Sequence, residues 1–154
     1  MENAANLADV ETYQSKVGEM RLGASWFYWV AIAAVLSTFL VYFVNFQTHF
    51  LGLGVNEYLD GRALAGTGDA ARWGTILLQV AIAGILAAFG YFAWKGSDIA
   101  FILGMFLYFV DAVVLLGFRE IFAFGFHLFA LFFMFKGLLA SRRRFDPSVD
   151  ATGA

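Results

Sequence analysis

The stretch that decides the fold is IAFILGMFLYFVDAVVLLGFREIFAFGFHLFALFFMFKGLL, residues 99–139. Two apolar runs of about 20 residues each, the length that spans a hydrocarbon layer, flank a short polar turn at residues 117–120. The pattern predicts two transmembrane helices folded back on each other. Asp111 lies eight residues before Arg119, and His127 lies eight residues after it. Equal distances from the turn put both side chains at the same depth, roughly 10–12 Å below it.

Composition indicates that the whole chain belongs in a membrane. Its 154 residues are 61% hydrophobic and only 14% charged, against about 25% charged in an ordinary soluble domain. A chain of this length has too much surface to bury so much apolar area in its own core. The net charge of −2 argues against a nucleic-acid partner. The absence of cysteine removes disulfides, thiolate metal sites and cysteine nucleophiles.

Hydropathy predicts an all-α integral membrane bundle of four transmembrane helices, forming a single domain over residues 1–154. Residues 1–23 have apolar side chains at helical spacing, which predicts a short amphipathic helix lying on the membrane surface. Residues 141–154 are predicted to form a flexible tail. The four predicted spans cover residues 24–46, 71–94, 99–118 and 121–140.

Small residues and turn signals predict how the helices meet. Gly84 begins a small-xxx-small pair on the second span, so a leucine there is expected to separate the first two helices. Gly96 is predicted to end the second helix, and Ser97 or Asp98 to cap the third. Residues 49–72 are predicted to form a loop, with one or two interfacial helix turns, ended by glycine, within residues 55–66.

Charge predicts the orientation of the bundle. With four spans, both termini and the turn at residues 95–98 share one side of the membrane. That side carries seven Lys or Arg residues, against three on the other. The positive-inside rule therefore predicts that both termini face the cytoplasm of a bacterial inner membrane.

Each span contributes one hydrogen-bonding side chain to the same half of the membrane, and these are Asn45, Gln79, Asp111 and His127. Tyr108 lies on the same helical face as Asp111. Small residues on the same faces predict that these side chains point into the bundle, where helices approach closely. The five residues form the candidate intramembrane polar site.

Two interpretations of this polar layer stay open. Ionisable groups inside membranes often mark proton, ion or ligand pathways, and a histidine titrates near physiological pH. Hydrogen bonds between membrane helices, at ~0.6–2 kcal/mol each, equally serve to fix packing. The favoured function is a non-enzymatic accessory or interaction protein whose polar layer fixes helix packing. The alternative is a proton- or ion-coupled transporter or channel using Asp111 and His127. A membrane enzyme, or a quinone- or haem-binding subunit, ranks below both.

The remaining polar residues favour no cofactor. Arg119 and Glu120 are predicted to form a solvated pair before the fourth helix, where Glu120 suits the helix dipole. His49 is the only other histidine, and its height above His127 argues against a bis-histidine haem. Adding Asp111 to the two histidines still leaves a thin ligand set for a metal. The expected partners are membrane lipids and either other membrane proteins or a second copy of the chain.

The runs GMFLYFVDAVVLL, residues 104–116, and FGFHLFALFFMFKGL, residues 124–138, resemble small uncharacterised bacterial multi-pass membrane proteins. The resemblance covers the last two spans and is carried by apolar residues together with Asp111 and His127. It implies a four-span membrane fold and a bacterial source. It implies no activity, cofactor or catalytic residue.

Overall fold

The computed structural model describes residues 2–44, 53–54, 58–59 and 69–143 of the chain. Its four long helices confirm the all-α prediction, and each is long and apolar enough to cross a membrane. The last three helices begin and end within three residues of the predicted spans. The elements are α1 (Glu2–Phe39), continued by a π-helical turn (Leu40–Val44), α2 (Asp69–Trp94), α3 (Asp98–Gly117) and α4 (Ile121–Arg143).

The helices form an antiparallel bundle in which neighbours in sequence are neighbours in space. Helix α1 packs against α2 on one side and α4 on the other, and α3 packs against α4. Helices α2 and α3 pack least closely of the four adjacent pairs. The bundle is therefore tight around α1 and α4 and looser between α2 and α3.

Helix α1 extends well beyond one membrane thickness. Its 38 residues give a length of about 57 Å, against ~30 Å of hydrocarbon. The predicted amphipathic helix at residues 1–23 is the first part of α1, and no break separates it from the span. Met20 and Ala24 are buried in the bundle core, so the last turn of this segment packs against other helices.

Helices α1 and α4 cross closely where Gly23 meets Gly137. A Cβ atom added to Gly23 would lie 2.5 Å from the Cα atom of Gly137, and one added to Gly137 would lie 2.7 Å from the Cα atom of Gly23. The expectation for Gly84 is wrong, because a Cβ atom there meets nothing within 4 Å. Gly84 instead lines an outward-facing groove between α1 and α2.

The turn between α2 and α3 follows its predicted chemistry. Gly96 has a φ of 88°, a left-handed conformation that suits glycine. The amide of Ser97 donates to the carbonyl of Phe92 at 3.1 Å and closes the end of α2. The Ser97 hydroxyl then accepts from the Ala100 amide at 3.3 Å, so Ser97 caps α3.

The turn between α3 and α4 uses the same geometry without a glycine. Arg119 takes the left-handed position, with a φ of 62°, and the Glu120 amide donates to the Leu115 carbonyl at 3.1 Å. These bonds make Arg119 the residue that terminates α3. Glu120 immediately precedes α4, and its carbonyl accepts from the Phe124 amide at 2.9 Å.

Polar contacts close both ends of the bundle. At the end that carries the α3–α4 turn, the Arg72 guanidinium donates to the carbonyl of Tyr42 in the π-helical turn and lies 5.7 Å from the Tyr42 ring centre. At the opposite end, the Ser141 hydroxyl donates to the Asp98 carboxylate at 2.7 Å. These contacts tie α1 to α2 and α3 to α4.

Candidate functional site

Asp111 and His127 meet inside the bundle. The Nε2 atom of His127 lies 3.1 Å from the Oδ2 atom of Asp111, which is a hydrogen-bond distance. The contact follows from the antiparallel pairing of α3 and α4, which brings positions equally far from the turn to one level. His127 is 2% exposed, so its ring is shielded by the packed helices.

The hydrogen bonds of His127 assign one shared proton to this pair. The Nδ1 atom lies 2.8 Å from the carbonyl oxygen of Ala123, and a carbonyl only accepts, so Nδ1 carries a hydrogen. A second hydrogen is then needed between Nε2 and the Asp111 carboxyl. It belongs either to an imidazolium facing a carboxylate or to a neutral carboxylic acid facing a neutral imidazole. In both forms the pair has a net charge of zero.

Tyr108 lies against the histidine of this pair. Its ring centre is 4.3 Å from that of His127, with the two planes 20° apart, so the rings are stacked. Tyr108 is 1% exposed. Its hydroxyl is buried and has no hydrogen-bond partner among the residues that the structure describes. Buried polar groups normally have a partner, so this hydroxyl calls for an explanation.

A segment between α1 and α2 also reaches the pair. The Gly54 amide donates to the Oδ2 atom of Asp111 at 2.9 Å, and the preceding residue, Leu53, is buried. A Cβ atom on Gly54 would lie 2.8 Å from the Asp111 carbonyl oxygen and 2.9 Å from the Leu115 side chain, so glycine permits the close approach. Within the predicted loop at residues 49–72, residues 53–54 are therefore buried against α3.

Gln79 belongs to a second polar contact, between α1 and α2. Its Oε1 atom lies 2.6 Å from the hydroxyl of Thr38, which also lies 3.0 Å from the Ala34 carbonyl. Both side chains are almost fully buried. Thr38 was not among the residues singled out from the sequence, although it is a hydroxyl inside an apolar run. Asn45, the predicted member from the first span, lies outside the described residues.

The predicted inward faces of α2, α3 and α4 are confirmed by burial. The residues on these faces that are buried include Gln79, Ala83, Gly90, Gly104, Tyr108, Ala123, His127, Ala130, Met134 and Gly137. Each polar member shares its face with small residues, as helix packing in membranes favours. The burial pattern places the polar contacts between helices.

A cavity of about 300 Å³ lies between α2 and α3 beside the Asp111–His127 pair. Tyr108 and Asp111 border it, and its other walls are aliphatic. The cavity coincides with the loosest helix contact in the bundle. It brings the carboxyl of the pair next to an apolar space of ligand size.

The other predicted polar residues lie outside this cluster. Arg119 and Glu120 occupy the α3–α4 turn, eight and nine residues beyond Asp111. His49 lies outside the described part of the chain. Within residues 2–44, 53–54, 58–59 and 69–143, no group of three or more His, Cys, Asp or Glu side chains is placed to hold a metal ion.

Comparisons with known proteins identify no relative. No protein-family model matches the sequence, no curated protein matches it, and no solved structure matches the fold.

Proposed function

We propose that this chain is a small, non-enzymatic accessory or interaction protein of a bacterial inner membrane, in which buried polar contacts fix the packing of four helices. The observation that carries the proposal is the direct hydrogen bonding between elements. His127 bonds to Asp111, Asp111 accepts from the Gly54 amide, and Thr38 bonds to Gln79. These contacts join α3 to α4, the Gly54 segment to α3, and α1 to α2.

Direct bonding of this kind suits a packing role. A hydrogen bond between membrane helices contributes only ~0.6–2 kcal/mol, but an unsatisfied buried partner costs about 1–3 kcal/mol. Any rotation of α3 or α4 that separates Asp111 from His127 leaves a buried polar group unsatisfied and therefore incurs that cost. The pair therefore discriminates the native helix register from its competitors more strongly than it stabilises the bundle.

A double-mutant cycle on thermal unfolding in detergent tests this role. Asp111→Leu leaves both the His127 ring and the Gly54 amide without their carboxylate, so it should cost about 2–6 kcal/mol if each orphan costs about 1–3. His127→Leu should cost less, because Asp111 keeps the Gly54 bond. The double variant should be more stable than Asp111→Leu, since the imidazole orphan is gone. Strict additivity would contradict the packing role.

The interaction part of the proposal is supported by the groove between α1 and α2. It has a volume of about 590 Å³ and is bordered by Ala83, Gly84 and Ala87. Small residues allow another helix to approach closely, and Gly84 has open space beside it. Gly84→Leu should not lower the melting temperature of the monomer, because leucine has the higher helix propensity, and it should reduce energy transfer between labelled copies in liposomes. Equal energy transfer would remove a second copy as the partner.

We propose that both termini face the cytoplasm. Support comes from the seven Lys or Arg residues on the terminal side against three on the other. A topology reporter fused after Arg144 should give a cytoplasmic signal. A tag inserted near Gly66 should be accessible to a reagent added outside the membrane. The reverse pattern would invert the orientation.

A second candidate function is proton- or ion-coupled transport through Asp111 and His127. It is favoured by the shared proton of the pair and by the cavity that Asp111 borders. Proteoliposomes with an entrapped pH dye would measure proton flux driven by an ion gradient or a membrane potential. Flux that Asp111→Asn abolishes would favour transport over packing. Flux no greater than that of empty liposomes would leave packing as the function.

A further inference from the structure

Two positively charged side chains lie over aromatic rings at the end of the bundle that carries the α2–α3 turn. The guanidinium carbon of Arg21, on α1, lies 5.5 Å from the centre of the Trp94 ring. The Nζ atom of Lys95 lies 4.5 Å from the centre of the Tyr91 ring. All four residues are exposed, and the two rings are neighbours on the surface of α2 because they lie three residues apart. We call these four residues the basic rim.

The positive charges of the basic rim are not neutralised within the described part of the chain. Among the residues that the structure describes, neither Arg21 nor Lys95 has an ion-pair partner. Glu19 lies two residues from Arg21 and therefore about 200° around α1 from it. Asp98, the acid nearest to Lys95 in the sequence, pairs with Arg142. A cation over a ring keeps N–H donors that point away from the ring, so both cations can bind an anion from outside the chain.

An apolar groove begins below the basic rim on the same face of the bundle. It is the groove between α1 and α2 described above, which extends from Tyr28 to Phe39 along α1. Arg21 lies seven residues, or two helical turns, before Tyr28 and is therefore on the same face of α1. On α2, Tyr91 lies seven residues after Gly84, which borders the groove, and shares its face for the same reason. The basic rim thus stands at one end of the groove.

The spacing between rim and groove suits a lipid headgroup and its acyl chain. Along α1, the groove begins about 10 Å below Arg21 and ends about 27 Å below it. One half of the hydrocarbon layer is ~15 Å thick, so an acyl chain whose headgroup lies on the rim reaches into the groove. Tyr and Trp side chains are enriched at the level of lipid headgroups, which agrees with the positions of Tyr91 and Trp94.

We propose that this face of α1 and α2 binds a phospholipid with a net negative headgroup, which lies on the basic rim while one acyl chain lies in the groove. Guanidinium and ammonium groups bind phosphate oxygens through charge-assisted hydrogen bonds. A zwitterionic headgroup gains less, because it brings its own cation to the positively charged rim. The inference rests on the interaction role of the groove proposed above, and it names a lipid that competes there with a second copy of the chain.

The test measures lipid binding to the full chain as a monomer in detergent by native mass spectrometry. Phosphatidylglycerol and phosphatidylcholine with identical acyl chains are titrated separately, and the Kd of the first bound lipid is determined for each. Phosphatidylglycerol should bind about 5- to 25-fold more tightly, which is about 5-fold for each of the two basic residues. Because the protein is monomeric, failure of lipid binding is distinct from failure of copies to associate, which energy transfer in liposomes reports.

A pair of charge variants tests the basic rim. Arg21→Gln removes one positive charge from the rim and should weaken phosphatidylglycerol binding about 5-fold. Lys136→Gln is the matched control, because Lys136 also lies over a ring, with its Nζ atom 5.9 Å from the centre of Phe132, but belongs to α4. It should leave the affinity for phosphatidylglycerol unchanged. An equal loss in both variants would reduce the effect to overall charge and remove the rim as the binding site.

A pair of glycine variants tests the groove. A Cβ atom added to Gly84 or to Gly74 meets nothing within 4 Å, but of the two only Gly84 borders the groove. Gly84→Leu should weaken phosphatidylglycerol binding about 4-fold for each CH₂ group that it displaces from the groove. Gly74→Leu should leave the affinity unchanged. Circular dichroism of each variant shows whether it has kept its helices.

Three further results would overturn the proposal. Equal affinities for phosphatidylglycerol and phosphatidylcholine would mean that the rim does not distinguish headgroup charge. Unchanged phosphatidylglycerol affinity in Gly84→Leu would place the acyl chain outside the groove. Equal affinity for glycerophosphoglycerol, which is the same headgroup without acyl chains, would mean that the rim binds free anions and not a lipid.

Discussion

The contact between Gly23 and Gly137 provides the sharpest test of the packing. In Gly23→Ala, the new methyl group would start 2.5 Å from the Gly137 Cα atom, whereas carbon atoms in contact lie about 3.5–4.0 Å apart. The two helices must therefore move apart by roughly 1 Å at their crossing. The three atoms that collide with the new methyl group are the Cα and N atoms of Gly137 and the carbonyl oxygen of Phe133. All three belong to the backbone of α4, so no flexible side chain can yield instead.

The magnitude follows from comparison with Gly84→Ala. Both substitutions gain the same helix propensity, about 1 kcal/mol in favour of alanine. Only Gly23→Ala adds overpacking, which typically costs about 1–3 kcal/mol, because nothing lies within 4 Å of the corresponding position at Gly84. The difference between the two variants isolates the steric term. For a chain of this size it corresponds to a melting temperature about 2–12 °C lower in Gly23→Ala than in Gly84→Ala.

Thermal unfolding of both variants in one detergent, followed by circular dichroism, measures this difference. Gly137→Ala should resemble Gly23→Ala, since its methyl group would lie 2.7 Å from the Gly23 Cα atom. The double variant should depart from additivity, because the two changes share one contact. Equal melting temperatures for Gly23→Ala and Gly84→Ala would refute the crossing of α1 and α4 described above.

Three further changes test local features with the same melting assay. Arg119→Gly should raise the free energy of unfolding by up to about 1 kcal/mol, because glycine relieves the left-handed strain, whereas Gly96→Ala should lower it by about 1–2 kcal/mol; the same sign for both would contradict the turn geometry. Gly54→Ala should speed hydrogen exchange of its own amide and cost about 1–3 kcal/mol by overpacking, and unchanged exchange would place residue 54 away from α3. Thr38→Val removes the bond to Gln79 and should cost about 0.5–1.5 kcal/mol; no loss would mean that this bond adds nothing to stability.

The sequence predicts the transmembrane spans and the common depth of Asp111 and His127, because both depend on local chemistry. Hydropathy along the chain determines which residues can lie in hydrocarbon, and no distant partner changes that requirement. The contact between Asp111 and His127 follows from the constant rise per residue of an α-helix and from the short turn between α3 and α4. Gly96 at the end of α2 is likewise predictable, since the left-handed position there is set by its own backbone.

Tertiary structure alone decided which small residues lie at the helix crossing. Gly84, with Ala88, satisfies the small-xxx-small pattern, whereas Gly23, at the crossing, has Glu19 and Phe27 four residues away. The pattern fails here because spacing along one helix does not specify the rotation of its neighbour. Whether a glycine faces another backbone or lipid depends on that rotation. The same reason explains why Thr38 became the partner of Gln79.

The approach of Gly54 to Asp111 also could not be predicted from the sequence. A polar, glycine-containing stretch between two spans has the composition of an exposed loop. Its entry into the bundle depends on the hydrogen bond from the Gly54 amide to the Asp111 carboxylate, 57 residues away. It also depends on the space left where α2 and α3 pack loosely. Local composition determined the four helices, and long-range geometry determined the surroundings of their one buried acid–imidazole pair.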